Sequence, residues 1–271
     1  MIGKRHLFAA LSLAALAVGS GALADGYEVA APAAVDEGRK FAYSFNVGVT
    51  SDYVFRGVSQ SDNDPAIQGG ADLSYGILYA GVWASLVDFA DAPPANAEVD
   101  WYGGIKPTWG PLTFDFGIIY YSYPGNGPLP GVGPLVDLNY TEVKAGVSGS
   151  PFANATLGAI VYYSDDSFAK TGEVWTVEGT AAYTLHAIGP LTPTISGTVG
   201  HVEGDDPAYL LFNGFDSYNY WNAGVAFAVE KLTFDFRYWD TDAESLASST
   251  LTCFSGYCDS RFVFSATVAL P

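Results

Sequence analysis

Of the 271 residues, only two are cysteine, three are histidine and eleven are lysine or arginine, and the single methionine is the initiator. Each shortage removes a class of function. Eleven bases against 29 acids give a formal net charge of −18. That leaves no clustered positive charge to meet a phosphate backbone, so nucleic acid is excluded as a partner. Two cysteines without neighbouring histidine cannot complete a tetrahedral zinc set, and no metal or cofactor is expected. Cys253 and Cys258, with four residues between them in a stretch rich in Ser, Thr and Gly, read instead as a small loop-closing disulfide formed after export.

Long apolar runs are also missing, with one exception at the N-terminus. Lys4 and Arg5 precede an apolar run from Leu7 to Val18, and Ala22-Leu23-Ala24 gives the small-x-small pattern of a cleavage site. The run is about a dozen residues, short of the roughly 20 that a helix needs to cross a bilayer. Residues 1–24 therefore read as a cleaved signal peptide and 25–40, without periodicity, as a disordered periplasmic leader. The mature chain would carry 9 Lys+Arg against 29 Asp+Glu, a net of −20. A helical membrane protein is excluded although 49% of the residues are hydrophobic.

The apolar residues are arranged differently. There are 18 Tyr, 17 Phe and 31 Gly, a composition of strands and turns. From Phe41, apolar Phe41, Tyr43, Phe45, Val47 and Val49 alternate with Ala42, Ser44, Asn46, Gly48 and Thr50, the period of a β-strand. The alternation recurs near 41–56, 66–75, 78–89, 97–109, 112–123, 137–149, 153–164, 173–185, 191–202, 217–229, 232–241 and 261–270. Segments of this length suit tilted strands that cross a membrane. Connections alternate between short and long, as in barrels with short periplasmic turns and longer outer loops. The expected fold is therefore all-β: residues 41–271 form a single antiparallel transmembrane β-barrel of about twelve strands. A soluble sandwich or jelly roll is the runner-up, but it would have to hide heavily aromatic stripes on a second sheet, whereas in lipid the sheet must close.

Position gives the charges meaning. Asp62, Asp64, Asp91, Asp165, Asp166, Glu203, Asp205, Asp206, Asp216, Asp242, Glu244 and Asp259 fall in or beside the long loops. The polar face of the strands carries Asp52, Arg56, Asp72, Asp100, Lys106, Asp115, Glu142, Lys144, Glu178, Asp235, Arg237 and Arg261, candidates for a lumen lining that selects ions. They read equally as groups that satisfy one another and plug the barrel. Arg56, where strand one meets its loop, reads as a constriction residue or, more blandly, a rim ion pair. Near strand ends sit Tyr53, Phe55, Tyr120, Tyr121, Tyr123, Tyr162, Tyr163, Tyr218, Tyr220, Trp221, Tyr238 and Trp239, the expected aromatic girdle at headgroup depth. Leu112-Thr113-Phe114-Asp115-Phe116 recurs as Leu232-Thr233-Phe234-Asp235-Phe236, six strands later.

Catalytic chemistry is sparse. His6 leaves with the signal peptide and His186 sits in a short turn. His201, near the outer end of strand nine, is the one candidate base at the outer leaflet; no serine elbow accompanies it, so it reads as a rim histidine. Asp165-Asp166 and Asp205-Asp206 match no calcium-loop spacing and read as solvated charge. No enzyme is expected.

Three stretches carry a family likeness: FNVGVTSDYVFRGVSQSDNDPAIQGGADLSY from Phe45 to Tyr75, YAGVWASLVDF from Tyr79 to Phe89, and Asp259-Ser260-Arg261-Phe262-Val263-Phe264-Ser265. In these the chain resembles the TorF-type porins of proteobacteria. The resemblance implies an outer-membrane barrel and brings no catalytic residues. The C-terminus departs from the pattern, ending Val268-Ala269-Leu270-Pro271 where such barrels close on an aromatic that the barrel assembly machinery reads. The expected function is passive diffusion of small hydrophilic solutes or ions, with a mild cation preference, in contact with outer-membrane lipid and lipopolysaccharide. The alternative is a non-conducting barrel whose acidic loops serve adhesion or envelope integrity.

Overall fold

The computed structural model describes residues 41–89, 95–125, 137–243, 252–253 and 256–270. The signal peptide and leader, together with Asp91 and Glu244, lie outside the described residues. Among the described residues are twelve long strands: β1 (Phe41–Thr50), β2 (Ala66–Tyr75), β3 (Leu78–Leu86), β4 (Ala97–Ile105), β5 (Leu112–Ser122), β6 (Tyr140–Gly149), β7 (Ala155–Ser164), β8 (Val174–Thr184), β9 (Thr192–Gly204), β10 (Ser217–Val229), β11 (Leu232–Thr241) and β12 (Arg261–Leu270). Each pairs antiparallel with its neighbours in sequence. β1 also pairs with β12, from Phe45↔Leu270 to Thr50↔Ser265, and this closes the sheet. Closure leaves no edge strand, the condition for a sheet in lipid.

Register fixes which face each residue takes. Odd-numbered residues of β1 point outward, and Phe41, Tyr43, Phe45, Val47 and Val49 are all exposed. The outward rows continue with Ile67 and Leu73 on β2, Trp101 on β4, Phe116 and Ile118 on β5, Val177 on β8, Ile195 and Val199 on β9, and Phe236 on β11. An exposed apolar surface of this extent is the surface of a barrel made for hydrocarbon. No helix among the described residues is long and apolar enough to cross a membrane. One helix, α1 (Pro207–Asn213), sits in the β9–β10 loop, capped by the Asp206 carboxylate, which accepts from the Ala208 amide at 2.7 Å.

Two strand ends differ from the sequence expectation by more than three residues. The segment expected as 97–109 breaks at Lys106-Pro107, where proline has no amide hydrogen for the ladder; only Thr108–Trp109 resumes pairing, with Thr113 and Leu112. The first strand, expected to reach Arg56, ends at Thr50. Beyond it the chain turns into the barrel, and this detour builds the interior.

Candidate functional site

Residues 51–65 form an inward loop with a miniature hairpin at its tip, Val54–Phe55 paired with Val58–Ser59. Its two turn residues, Arg56 (φ 48) and Gly57 (φ 82), are both left-handed, as a two-residue turn of the primed type demands. Glycine is required at the second position for space as well. A Cβ on Gly57 would stand 2.8 Å from Cβ of Tyr220 on β10 and 3.0 Å from Cβ of Thr241 on β11.

The hairpin is fastened at both ends by charge. At its tip the Arg56 guanidinium meets Glu142 of β6 with two parallel bonds, Nη1 to Oε1 at 2.7 Å and Nη2 to Oε2 at 2.9 Å, the geometry that favours arginine over lysine. The same guanidinium stacks over Phe55 and Tyr162, 4.7 and 4.8 Å from the ring centroids. Burial works against the Arg56 charge, but Glu142 alongside outweighs it and holds the group well above its ordinary range. At its base Asp52 accepts from Ser59 Oγ at 2.7 Å, from Ser61 Oγ at 3.0 Å and from Arg261 Nη1 at 2.5 Å. Tyr53 donates to Glu98 at 2.7 Å and packs against Trp83. Burial first, then the charges of Glu98 and Asp100, push its phenol upward.

Around this hairpin the outer half of the interior is packed. One cluster gathers Tyr53, Trp83, Tyr121, Tyr140 and Tyr162; a second gathers Val54, Val58, Tyr218, Tyr220 and Trp239. The inward rows show a gradient. On β5, Tyr121 and Ile119 are buried while Gly117, Asp115 and Thr113 are partly exposed; on β7 the row runs from buried Ser164 and Tyr162 to exposed Thr156; on β2 it runs from buried Ala66 to half-buried Ser74. The interior is thus a cup open on the short-turn side, lined there by hydroxyls and charges, with an aromatic packing closing its outer half.

Inward carboxylates are repeatedly met by a tyrosine hydroxyl. Tyr102 donates to Asp72 at 2.5 Å, Tyr79 to Asp115 at 2.6 Å and Tyr121 to Glu142 at 2.9 Å, and Tyr220 donates to Glu178. Bare glycines on neighbouring strands admit these rings. A Cβ on Gly81 would lie 2.5 Å from the Tyr102 ring, and Gly200 lies directly under Tyr220. Asp115 also pairs with Lys144 at 3.1 Å and Lys106 at 3.7 Å, while Asp235 pairs with Arg237, which in turn reaches Asn222 and Ser196. The repeated LTFDF segments thereby stand six strands apart, with Asp115 and Asp235 each on the inward row of its own strand and beside a base.

All twelve residues proposed for the lumen lie on the inner face or on the inward loop, eight of them buried: Asp52, Arg56, Asp100, Glu142, Lys144, Glu178, Asp235 and Arg237. The structure brings together Arg56 with Glu142, Asp52 with Arg261, and Lys106 and Lys144 with Asp115. Glu98 belongs with them and was missed, although it alternates with Asp100 on β4. The girdle requires a larger correction. Of its twelve aromatics, seven, namely Tyr53, Tyr121, Tyr123, Tyr162, Tyr218, Tyr220 and Trp239, are buried inside, whereas Tyr120 and Trp221 are exposed outside. Neighbours in sequence take opposite faces of a strand, so paired aromatics such as Tyr120-Tyr121 cannot both face lipid.

Outside the cup, Cys253 and Cys258 are joined in a disulfide. His201 is on the outer face with Nδ1 2.9 Å from Asn219 Oδ1, and Asn219 is itself held by Asp242; no serine is bonded to it in the described residues. No group of three metal-ligating side chains occurs among the described residues.

Solved structures of similar fold include the NanC porin, with a TM-score of 0.50 and 11% identity over 85% of this chain and 100% of that one. LpxR from Salmonella typhimurium aligns with a TM-score of 0.48 at 10% identity, over 84% of this chain and 99% of that one. The outer membrane channel DcaP of Acinetobacter baumannii aligns with a TM-score of 0.40 at 9% identity, over 87% of this chain and 99% of that one. At such identities the likeness to NanC is one of fold, the closed barrel of outer-membrane proteins. No curated protein matches the chain. A family model does match, over residues 34–269, and the chain belongs to that family, Gcw_chp, whose description is bacterial protein of unknown function.

Proposed function

We propose that this protein is an outer-membrane channel for small hydrophilic solutes or ions whose passage is limited by the inward hairpin at Arg56. Export through the N-terminal signal peptide delivers it to the barrel assembly machinery, and its acidic loops face lipopolysaccharide. The TorF-type likeness and the fold shared with the NanC porin support this reading. The observation that carries it is the manner in which the hairpin is held. Its tip and base rest on ion pairs, Arg56 with Glu142 and Asp52 with Arg261, which water can replace when the loop moves, and beneath it lies a wet cup rather than more apolar packing. The twelve residues proposed for the lumen, with Glu98 added, comprise eight acids against the five bases Arg56, Lys106, Lys144, Arg237 and Arg261, a balance that favours cations.

Single-channel conductance of the refolded chain in a planar bilayer, with the reversal potential under a salt gradient, tests this reading. Small cation-selective steps that grow when the hairpin is shortened are the expected result. A heat-modifiable barrel that stays silent with and without the hairpin overturns it. The second reading, a non-conducting barrel acting through its acidic loops, is favoured by the packed aromatics of the outer half and would then stand.

A further inference from the structure

Residues 253 and 256–258 of the disulfide loop lie against the inward hairpin, and the contacts between them are specific. The Ser59 amide donates to the Tyr257 carbonyl at 2.9 Å. Arg261, which holds Asp52 at the hairpin base, donates through Nη2 to the carbonyls of Gly256 at 2.5 Å and Tyr257 at 2.8 Å, and through Nη1 to Asn63. Cys253, Cys258 and Tyr257 belong to the same buried cluster as Val54 and Val58 of the hairpin. A crosslink between residues five apart closes so small a ring that it removes little entropy from the unfolded chain compared with a long loop. Its effect is therefore local: it fixes the carbonyls on which the hairpin and Arg261 depend.

We propose that the Cys253–Cys258 loop is a latch that keeps the hairpin folded into the barrel. Breaking the disulfide frees the Gly256 and Tyr257 carbonyls to move, loosens Arg261 from Asp52 and lets residues 51–61 leave the interior. The agent is a thiol or dithiol reductant. A thiolate attacks one sulfur and forms a mixed disulfide; a second thiolate displaces the remaining cysteine. Two electrons and two protons end on Cys253 and Cys258 as thiols, and the reductant leaves as its disulfide.

The test reads the hairpin without requiring conduction, because trypsin cleaves after Arg56 only when that residue leaves its buried place. The folded barrel in detergent, oxidised or treated with dithiothreitol, is digested beside a Cys253→Ser/Cys258→Ser double variant. Cleavage after the half-exposed Lys170, in a different loop, is the internal reference, and heat-modifiable gel mobility confirms that each barrel is closed. The expected result is at least a roughly tenfold rise in cleavage after Arg56 relative to Lys170 on reduction and in the double variant, the response of a local opening equilibrium to a lost restraint. Equal ratios in all three samples overturn the latch. Conductance in the same samples separates this inference from the channel reading on which its physiological use rests: a rise in cleavage with silent bilayers keeps the latch and removes the channel.

Discussion

Arg56 and Glu142 are 86 residues apart in sequence and meet in a two-pronged ion pair at 2.7 and 2.9 Å, both side chains almost fully buried. Their meeting joins the loop after the first strand to the wall formed by the sixth, nearly opposite in a ring of twelve. Removing one member of such a pair leaves a desolvated charge, at a cost of about 3–5 kcal/mol. Arg56→Ala and Glu142→Gln are each expected to release the hairpin, lower the thermal midpoint and enlarge the conductance step. The double variant should lose no more than the worse single one, and thermal unfolding of all four proteins gives the coupling energy.

Gly57→Ala tests the turn itself. Alanine meets both an unfavourable positive φ and the Tyr220 and Thr241 side chains. Gly76, at φ 62 in a short turn, has nothing within 4 Å of where a Cβ would stand, so Gly76→Ala bears only the backbone cost of about 1 kcal/mol. The expected order in midpoint loss is Gly57→Ala greater than Gly76→Ala, and equal losses would mean that the close approach at the hairpin tip is not made in solution.

Selectivity should follow the cup. Asp72→Asn and Asp115→Asn remove negative charge from its partly exposed rows and are expected to move the reversal potential toward anions. Lys106→Ala should move it the other way. A common shift for all three would tie the change to pore size rather than charge.

Alkaline solution should loosen the hairpin. The Tyr53 phenol is held above its ordinary value of 10.0 by burial and by Glu98 and Asp100. Its contribution to stability is therefore complete below about pH 10 and falls as pH rises past the unfolded value, because the unfolded chain then loses the proton more readily. Trypsin cleavage after Arg56, normalised to total protein, should increase above that pH, and Tyr53→Phe should flatten the rise.

His201→Ala is expected to change the thermal midpoint by less than about 0.5 kcal/mol in stability terms, as for an exposed site with one hydrogen bond. Lipid and lipopolysaccharide hydrolysis should not differ between this variant and the parent. A hydrolytic activity that disappears with His201 would instead assign chemistry to the His201–Asn219–Asp242 row.

The strand plan was legible because a closed sheet with one apolar face writes period two along every segment; ten of the twelve strands end within three residues of where alternation stops. Lumen charges followed from the same parity, and Glu98 was open to it. The inward hairpin was not legible. It begins where Tyr53 and Phe55 still continue the odd-numbered apolar set of the first strand, and its turn places arginine at a positive φ, which no local pattern announces. What decides its direction is Glu142 and Tyr162, brought near only when the barrel closes. The aromatics misled for a related reason: tyrosine suits both a headgroup belt and a buried wall where a carboxylate accepts its hydroxyl, so abundance alone could not assign the side.

The one-sided cup has an electrical consequence. Its wet half is continuous with the solution on the short-turn side and shares that solution's potential. A voltage imposed across the bilayer therefore falls mainly over the packed outer half, a thinner dielectric than the membrane itself, where Arg56 and Glu142 stand as opposed charges. Each elementary charge carried through the full drop is worth about 2.3 kcal/mol per 100 mV. The polarity of the applied field thus becomes a force along the barrel axis on the hairpin, drawing its arginine toward the cup in one direction and toward the outer mouth in the other, while the Glu142 carboxylate is pulled the opposite way each time.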